Sequence, residues 1–215
     1  DYISTPIGEY FGQNNALSVE AWINVTGTSN GPIFTVTNTP PGGGWNMPFL
    51  SINSSTVYGW IWGVNGNTAL NHSVTIGWHK LSLTYDPSAN PTLNFYVDGV
   101  AVASGTGQYN SSNSFNYWTT YNPGAKPSGV NSYLSGTIDE ISLWSKTLTA
   151  NEILSNYNGT LSGNESGLAG YWKFDEGSGD IAYDQTNNGN NGTINGATWE
   201  SISNQTVGIF SQSGG

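Results

Sequence analysis

The 215-residue chain has no cysteine and no arginine. Without thiols, a disulfide framework and a thiolate metal centre are both excluded. The four basic residues are all lysines (Lys80, Lys126, Lys146 and Lys173), set against 14 acidic residues for a formal net charge of −10. Nucleic-acid binding depends on Lys and Arg neutralising phosphates and releasing counterions, which this chain cannot supply. Attraction to anionic lipid fails for the same reason. No apolar run approaches the roughly 18 residues of a membrane span, so membrane insertion by this segment is not expected. Charged residues amount to 8% of the chain, about a third of the usual fraction.

The polar surface must therefore be built from Asn, Ser, Thr and Gly. Such a surface fits an extracellular or cell-surface setting, where amides, hydroxyls and attached glycans carry solubility. Sequons stand at Asn24, Asn53, Asn71, Asn110, Asn158, Asn164, Asn191 and Asn204. Each is a candidate acceptor of a glycoprotein, in a chain rich enough in Asn, Ser and Thr to produce such triplets by chance. No signal-peptide pattern is present. The chain begins mid-pattern at Asp1-Tyr2-Ile3, which leads us to expect a piece of a larger multidomain surface protein.

Short runs of period-two alternation recur about every ten residues, separated by Gly, Pro, Asn and Ser turns. That rhythm predicts an all-β sandwich or barrel, and about 200 residues suit a single such unit. The clearest predicted strands cover 18–25, 32–37, 49–52, 57–64, 79–85, 92–97, 136–144 and 168–175. Val97-Asp98-Gly99-Val100 predicts a tight hairpin, because Asp-Gly supplies the positive φ such a turn needs. One short helix is expected after Thr149-Ala150-Asn151-Glu152, a capping box. Two long, nearly uncharged Pro/Gly-rich loops span 38–47 and 121–132, and loops of that kind on a rigid scaffold are where binding sites concentrate. Residues 201–215 are polar and low in complexity, and are expected to be an extension or linker.

Three segments carry a family resemblance. They are Leu17-Ser18-Val19-Glu20-Ala21-Trp22-Ile23; Gly77-Trp78-His79-Lys80-Leu81-Ser82-Leu83-Thr84-Tyr85-Asp86 continuing to Phe95-Tyr96-Val97-Asp98-Gly99; and Ser135-Gly136-Thr137-Ile138-Asp139-Glu140-Ile141-Ser142-Leu143-Trp144 with Leu148-Thr149 and Glu152-Ile153. They resemble the laminin-G-like, concanavalin A-like jelly roll, and the third also resembles pentraxins. Residues 167–198 resemble a strand-plus-loop unit found in surface members of that family, completing one domain over 1–200. The resemblance implies a two-sheet antiparallel jelly-roll β-sandwich, often with one structural Ca²⁺, and a binding or adhesive role. Fold alone does not settle function.

Asp139 is the first site candidate. A mid-strand carboxylate is unfavourable unless a cation or backbone donors meet it, and both readings are open. In related calcium-dependent jelly rolls the matching Asp helps to hold the structural Ca²⁺, which the resemblance implies here. Asp184 with Asn187 offers a second metal loop or, alternatively, an Asx-type turn through Thr186. Tyr58, Trp60 and Trp62 fall at i, i+2 and i+4, so all three share one sheet face. They are either a sugar-stacking platform or inward core residues. Trp45, Asn46, Trp118, Tyr121 and Asn122 sit in polar, turn-rich sequence and are candidate ligand contacts. A pentraxin-style double-calcium site is not expected, since the second long loop holds no acidic residue. β-Glucanases of this fold need an E-x-D-x-x-E-like strand, which is missing. Asp139 and Glu140, being adjacent, should point to opposite faces of their strand. The expected function is a non-catalytic carbohydrate-binding or adhesive module, with a glycan or cell-surface protein as partner. A structural or protein-interaction spacer is the alternative, and a polysaccharide-degrading enzyme ranks last.

Overall fold

The computed structural model describes residues 2–11, 15–37, 46–63, 66–107, 115–120, 133–201 and 208–212. Two eight-stranded antiparallel sheets pack face to face as a jelly-roll β-sandwich, with one short helix on the outside. The front sheet runs β13 (Ile181–Ala182), β14 (Gly192–Asn195), β1 (Tyr2–Phe11), β10 (Phe115–Thr119), β3 (Asn30–Thr37), β4 (Asn46–Asn53), β5 (Thr56–Gly63) and β6 (Gly66–Ser73). The back sheet runs β15 (Thr198–Ser201), β16 (Gly208–Gln212), β11 (Gly136–Trp144), β2 (Leu17–Val25), β7 (Gly77–Tyr85), β8 (Leu93–Val97) and β9 (Val100–Gly105), and β12 (Leu168–Trp172) also pairs with β11.

The period-two pattern decides which way each strand faces. In β2, Leu17, Val19, Ala21, Ile23 and Val25 enter the core, and in β7 Leu81, Leu83 and Tyr85 do the same. The alternate residues Ser18, Glu20, Trp22, Lys80, Ser82 and Thr84 are thereby turned to the outside of the back sheet. Helix α1 (Ala150–Asn158) covers part of that outside. Its capping box forms as expected: Thr149 Oγ1 accepts from the Glu152 amide at 3.3 Å, and Glu152 Oε2 accepts from the Thr149 amide at 2.8 Å. Ile153 packs into a second small core with Tyr96, Trp144, Leu148, Leu161, Leu168 and Tyr171. The helix is also tied down by polar contacts. Asn156 donates to Glu20 Oε2 at 2.7 Å, and Lys80 Nζ donates to the Asn156 carbonyl at 2.7 Å.

The Asp98-Gly99 hairpin forms with φ of 52° and 78° at its two central residues. Asp98 also accepts from His79 Nδ1 at 2.7 Å and from the Lys80 amide at 2.9 Å, which fixes the turn. Within 201–215, Gly208–Gln212 form β16, paired on one side to β15 and on the other to β11.

Candidate functional site

The outward face of β5 is settled by a glycine. A Cβ placed on Gly59 would meet Phe95 Cδ2 at 2.7 Å and Leu83 Cδ1 at 2.9 Å, both side chains of the opposite sheet. Gly59 therefore points into the sandwich with Val57 and Ile61, which are fully buried core residues. Alternation then turns Tyr58 and Trp60 to the outside of the front sheet, while the Trp62 side chain lies outside what the structure describes. The aromatic row is not core-facing. Yet it is not bare: Tyr58 is half-buried and Trp60 is only 5% exposed.

Around this row the front sheet presents hydroxyls. Ser51 stands directly opposite Tyr58 across the β4–β5 ladder, and directly opposed residues share a face. Thr35 lies between Phe34 and Val36, both in the core, so it too projects outward, in register with Pro48 and Thr119. Bulges at Ile33 and Phe49 bring consecutive core residues inward and set this register. The atoms Thr35 Oγ1, Ser51 Oγ and Trp60 Nε1 are all buried, and none has a hydrogen-bond partner. Neither hydroxyl was singled out from the sequence. The available signal was a Thr and a Ser at polar beats of strongly apolar strands.

The other sequence-derived ligand candidates are only partly placed. Trp118 pairs with Val36 and Thr5, and Asn46 pairs with Thr37. Trp45, Tyr121 and Asn122 lie outside the described residues.

A second constellation surrounds Asp139 on the back sheet. β16 pairs with β11 at residues 136–138 and β12 pairs with it at 141–144, both opposite the edge held by β2. Asp139 and Glu140 fall in the gap between them. The register slips by one residue between Asp139↔Trp22 and Ser142↔Glu20, and Glu140 has a φ of 43°. This bulge corrects the expectation of opposite faces. Ile138 and Ile141 both reach the core, so the two carboxylates share the turn between them. Asp139 is 1% exposed; its Oδ1 accepts from the Glu140 amide at 3.0 Å, and its Oδ2 is buried without a partner. Burial, then repulsion by Glu140, push its carboxyl up to about 9, with Asp175 adding to the repulsion. The buried Tyr171 hydroxyl is also pushed up, first by burial and then by Glu140.

The acidic tail loop is different. Asp184 Oδ1 accepts from the Tyr171 and Thr186 amides at 3.0 Å each, and Oδ2 accepts from Thr186 Oγ1 at 2.8 Å and the Asn190 amide at 2.9 Å. Four donors occupy the carboxylate, and Asn187 beside it is exposed. Asp184 pins the loop to β12.

Residues 1–154 match the family model described as the concanavalin A-like lectin/glucanases superfamily. The chain belongs to that superfamily. Among solved structures it resembles a candidate carbohydrate-binding protein from Bacteroides ovatus ATCC 8483, at 24% identity and a TM-score of 0.64. That match covers 94% of this chain and 58% of the other, so the domain spans little more than half of its relative. An HCR/D point mutant follows at 15% identity and a TM-score of 0.51, covering 76% of this chain and 41% of the other. The binding domain of botulinum neurotoxin serotype D gives 15% identity and a TM-score of 0.47, with coverages of 68% and 38%. At these identities the likeness is one of fold. No curated protein matches the chain.

Proposed function

We propose that this domain is a non-catalytic carbohydrate-binding module that holds its ligand on the outer face of the front sheet. One observation carries the reading: the Tyr58 and Trp60 rings and the unpartnered Thr35 and Ser51 hydroxyls share a sheet face turned away from the core. Aromatic faces stack on the C–H faces of sugar rings, while hydroxyls and an indole N–H serve the ring's polar edge. The superfamily match and the Bacteroides ovatus relative agree with a lectin-like role. Catalysis has little support. Hydrolysis of a glycosidic bond needs two carboxylates flanking it, and the described residues of β3, β4 and β5 include no acidic residue. An adhesive role at a cell surface follows from the same chemistry, in a chain whose polar surface is neutral and whose net charge is −10.

The ion we assign to this domain is a structural Ca²⁺ on Asp139. A carboxylate oxygen is the kind of ligand a hard cation takes, and the orphaned Asp139 Oδ2 is the atom that needs one. Among the described residues no three His, Asp or Glu side chains converge closely enough to hold a metal alone. Backbone carbonyls would therefore complete the shell, and the ion would stabilise rather than contact ligand.

A glycan array tests the binding reading. Wild-type protein is expected to bind at least one oligosaccharide class, and Trp60→Ala or Tyr58→Ala to lose at least tenfold in affinity. Silence across plant, algal and microbial glycans would favour a structural spacer instead.

A further inference from the structure

We infer that Lys80 and Asn156 condense into an intramolecular isopeptide bond, with Glu20 as the proton-transferring group, so that helix α1 is covalently stapled to the back sheet. The site lies on the opposite side of the sandwich from the front-sheet face and needs no ligand.

The register of the back sheet assembles it. On the outside of that sheet Glu20 stands opposite Ser82 on β7 and Ser142 on β11, and Trp22 stands opposite Lys80 one row further along. Helix α1 lies over both rows. Ile153, Asn156 and Tyr157 fall at i, i+3 and i+4, which places them on one face of the helix. Ile153 is buried in the second small core, Asn156 Nδ2 donates to Glu20 Oε2 at 2.7 Å, and the Tyr157 ring stacks on Trp22 with centroids 5.6 Å apart. Lys80 Nζ reaches the same asparagine from the sheet. It donates to the Asn156 main-chain carbonyl at 2.7 Å and lies 5.9 Å from the centre of the Trp22 ring.

Two features set this cluster apart from an ordinary polar contact. Lys80 is 2% exposed and Glu20 is fully buried, yet among the described residues the two form no ion pair. Buried charges are ordinarily paired, and here one asparagine touches both side chains instead. The carboxylate is also held in place, since Ser82 Oγ donates to its Oε1 at 2.9 Å and Ser142 Oγ to its Oε2 at 3.4 Å. Lys146, by contrast, is partly exposed and paired with Glu152 at 2.6 Å.

This arrangement is suited to amide exchange. A lysine amine serves as a nucleophile where water is excluded, and a carboxyl group in hydrogen-bond reach of the leaving nitrogen can carry the proton. The carbonyl that Nζ holds and the carboxamide belong to one residue, so a side-chain rotation brings Nζ to Cγ. Nζ of the neutral amine bonds to Asn156 Cγ, the Cγ–Nδ2 bond breaks, one Nζ proton passes by way of Glu20 to Nδ2, and ammonia leaves. Atoms balance without an oxidant or any co-reactant. The product replaces a buried amine with a neutral amide. It also ties together residues 76 apart in sequence, in a chain that has no cysteine for a disulfide.

The test is the intact mass of the purified 215-residue chain, measured after denaturation and followed by proteolytic mapping. Wild type is expected to be lighter than its sequence mass by one ammonia, with one branched peptide joining Lys80 to Asn156. Asn156→Ala, Lys80→Met and Glu20→Gln are each expected at full sequence mass, with a lower melting temperature than wild type. Glu20→Gln keeps an acceptor for Asn156 while removing the group that moves the proton, and it carries the mutational arm if the other two fail to fold. A wild-type mass equal to the sequence mass, unchanged after prolonged incubation of the folded protein, would overturn the proposal and leave Lys80 as a hydrogen-bonded cap of helix α1. An ammonia deficit that persists in Lys80→Met would overturn it as well, because it marks an asparagine cyclised on its own backbone. Cross-linking of Glu20→Gln to the wild-type extent would remove Glu20 from the step.

Discussion

Gly59→Ala is expected to destabilise the domain by about 1–3 kcal/mol, and Gly59→Val by the upper end of that range or more. The cause is the interior, not glycine's backbone freedom: Gly59 is not among the glycines with positive φ. A methyl at this position meets the Phe95 ring and Leu83 inside van der Waals distance, and a packed core has little room to yield. Chemical denaturation measures the loss directly. Gly177 is the control, because a Cβ there meets nothing within 4 Å, and its φ of 65° leaves only local backbone strain. Equal losses at the two positions would mean that β5 does not turn Gly59 inward, and the aromatic row would lose its outward assignment with it.

The second large effect concerns Asp139. In metal-free protein, Asp139→Asn should stabilise the domain at neutral pH, on the order of 4 kcal/mol at pH 7 if the full shift is expressed. The sign follows from the direction of the shift. The folded carboxyl titrates at about 9, above its ordinary 3.8, so the folded state holds a proton that the unfolded chain releases. The associated stability is complete below about pH 4 and is lost as the pH rises toward 9. Asparagine has no such proton to lose. Calcium reverses the preference, because a cation on Oδ2 requires the ionised carboxylate. Wild type should therefore gain melting temperature on adding Ca²⁺ at pH 7–8 and lose it on chelation, while Asp139→Asn shows neither response. A wild-type melting temperature indifferent to both treatments, with no metal in the purified protein, would contradict the calcium assignment.

How far the sequence discloses this molecule differs from element to element. Strands with strict alternation, such as β2 and β7, announce themselves because each buries one face against the other sheet. The Asp98-Gly99 hairpin and the Thr149–Glu152 cap are equally plain, since both are written in local turn and cap chemistry. The edge strand β9 is harder, because its exposed and half-buried residues show no hydrophobic rhythm, and β16 lies within a polar tail. The site divides in the same way. That Tyr58, Trp60 and Trp62 share a face follows from spacing alone, but which face they occupy depends on Gly59, whose missing side chain makes room for Leu83 and Phe95 some 25 and 35 residues further along the chain. Asp139 stood out as a carboxylate in an apolar strand. The bulge that brings Glu140 to its side did not, because it arises where two different strands end on β11.

The most direct measurement of ligand binding on the front sheet is the chemical shift of the Trp60 indole proton, assigned with Trp60→Phe, during titration with a neutral oligosaccharide that binds. The indoles of Trp144 and Trp172 serve as internal references, since they already donate to Ser142 Oγ at 3.0 Å and to the Asn190 carbonyl at 2.8 Å. A saturable downfield shift of the Trp60 signal, with those two unmoved, is the predicted result. Saturable shifts confined to residues of the back sheet or helix α1, with the Trp60 indole unchanged, would contradict it and move the binding site to the other side of the sandwich.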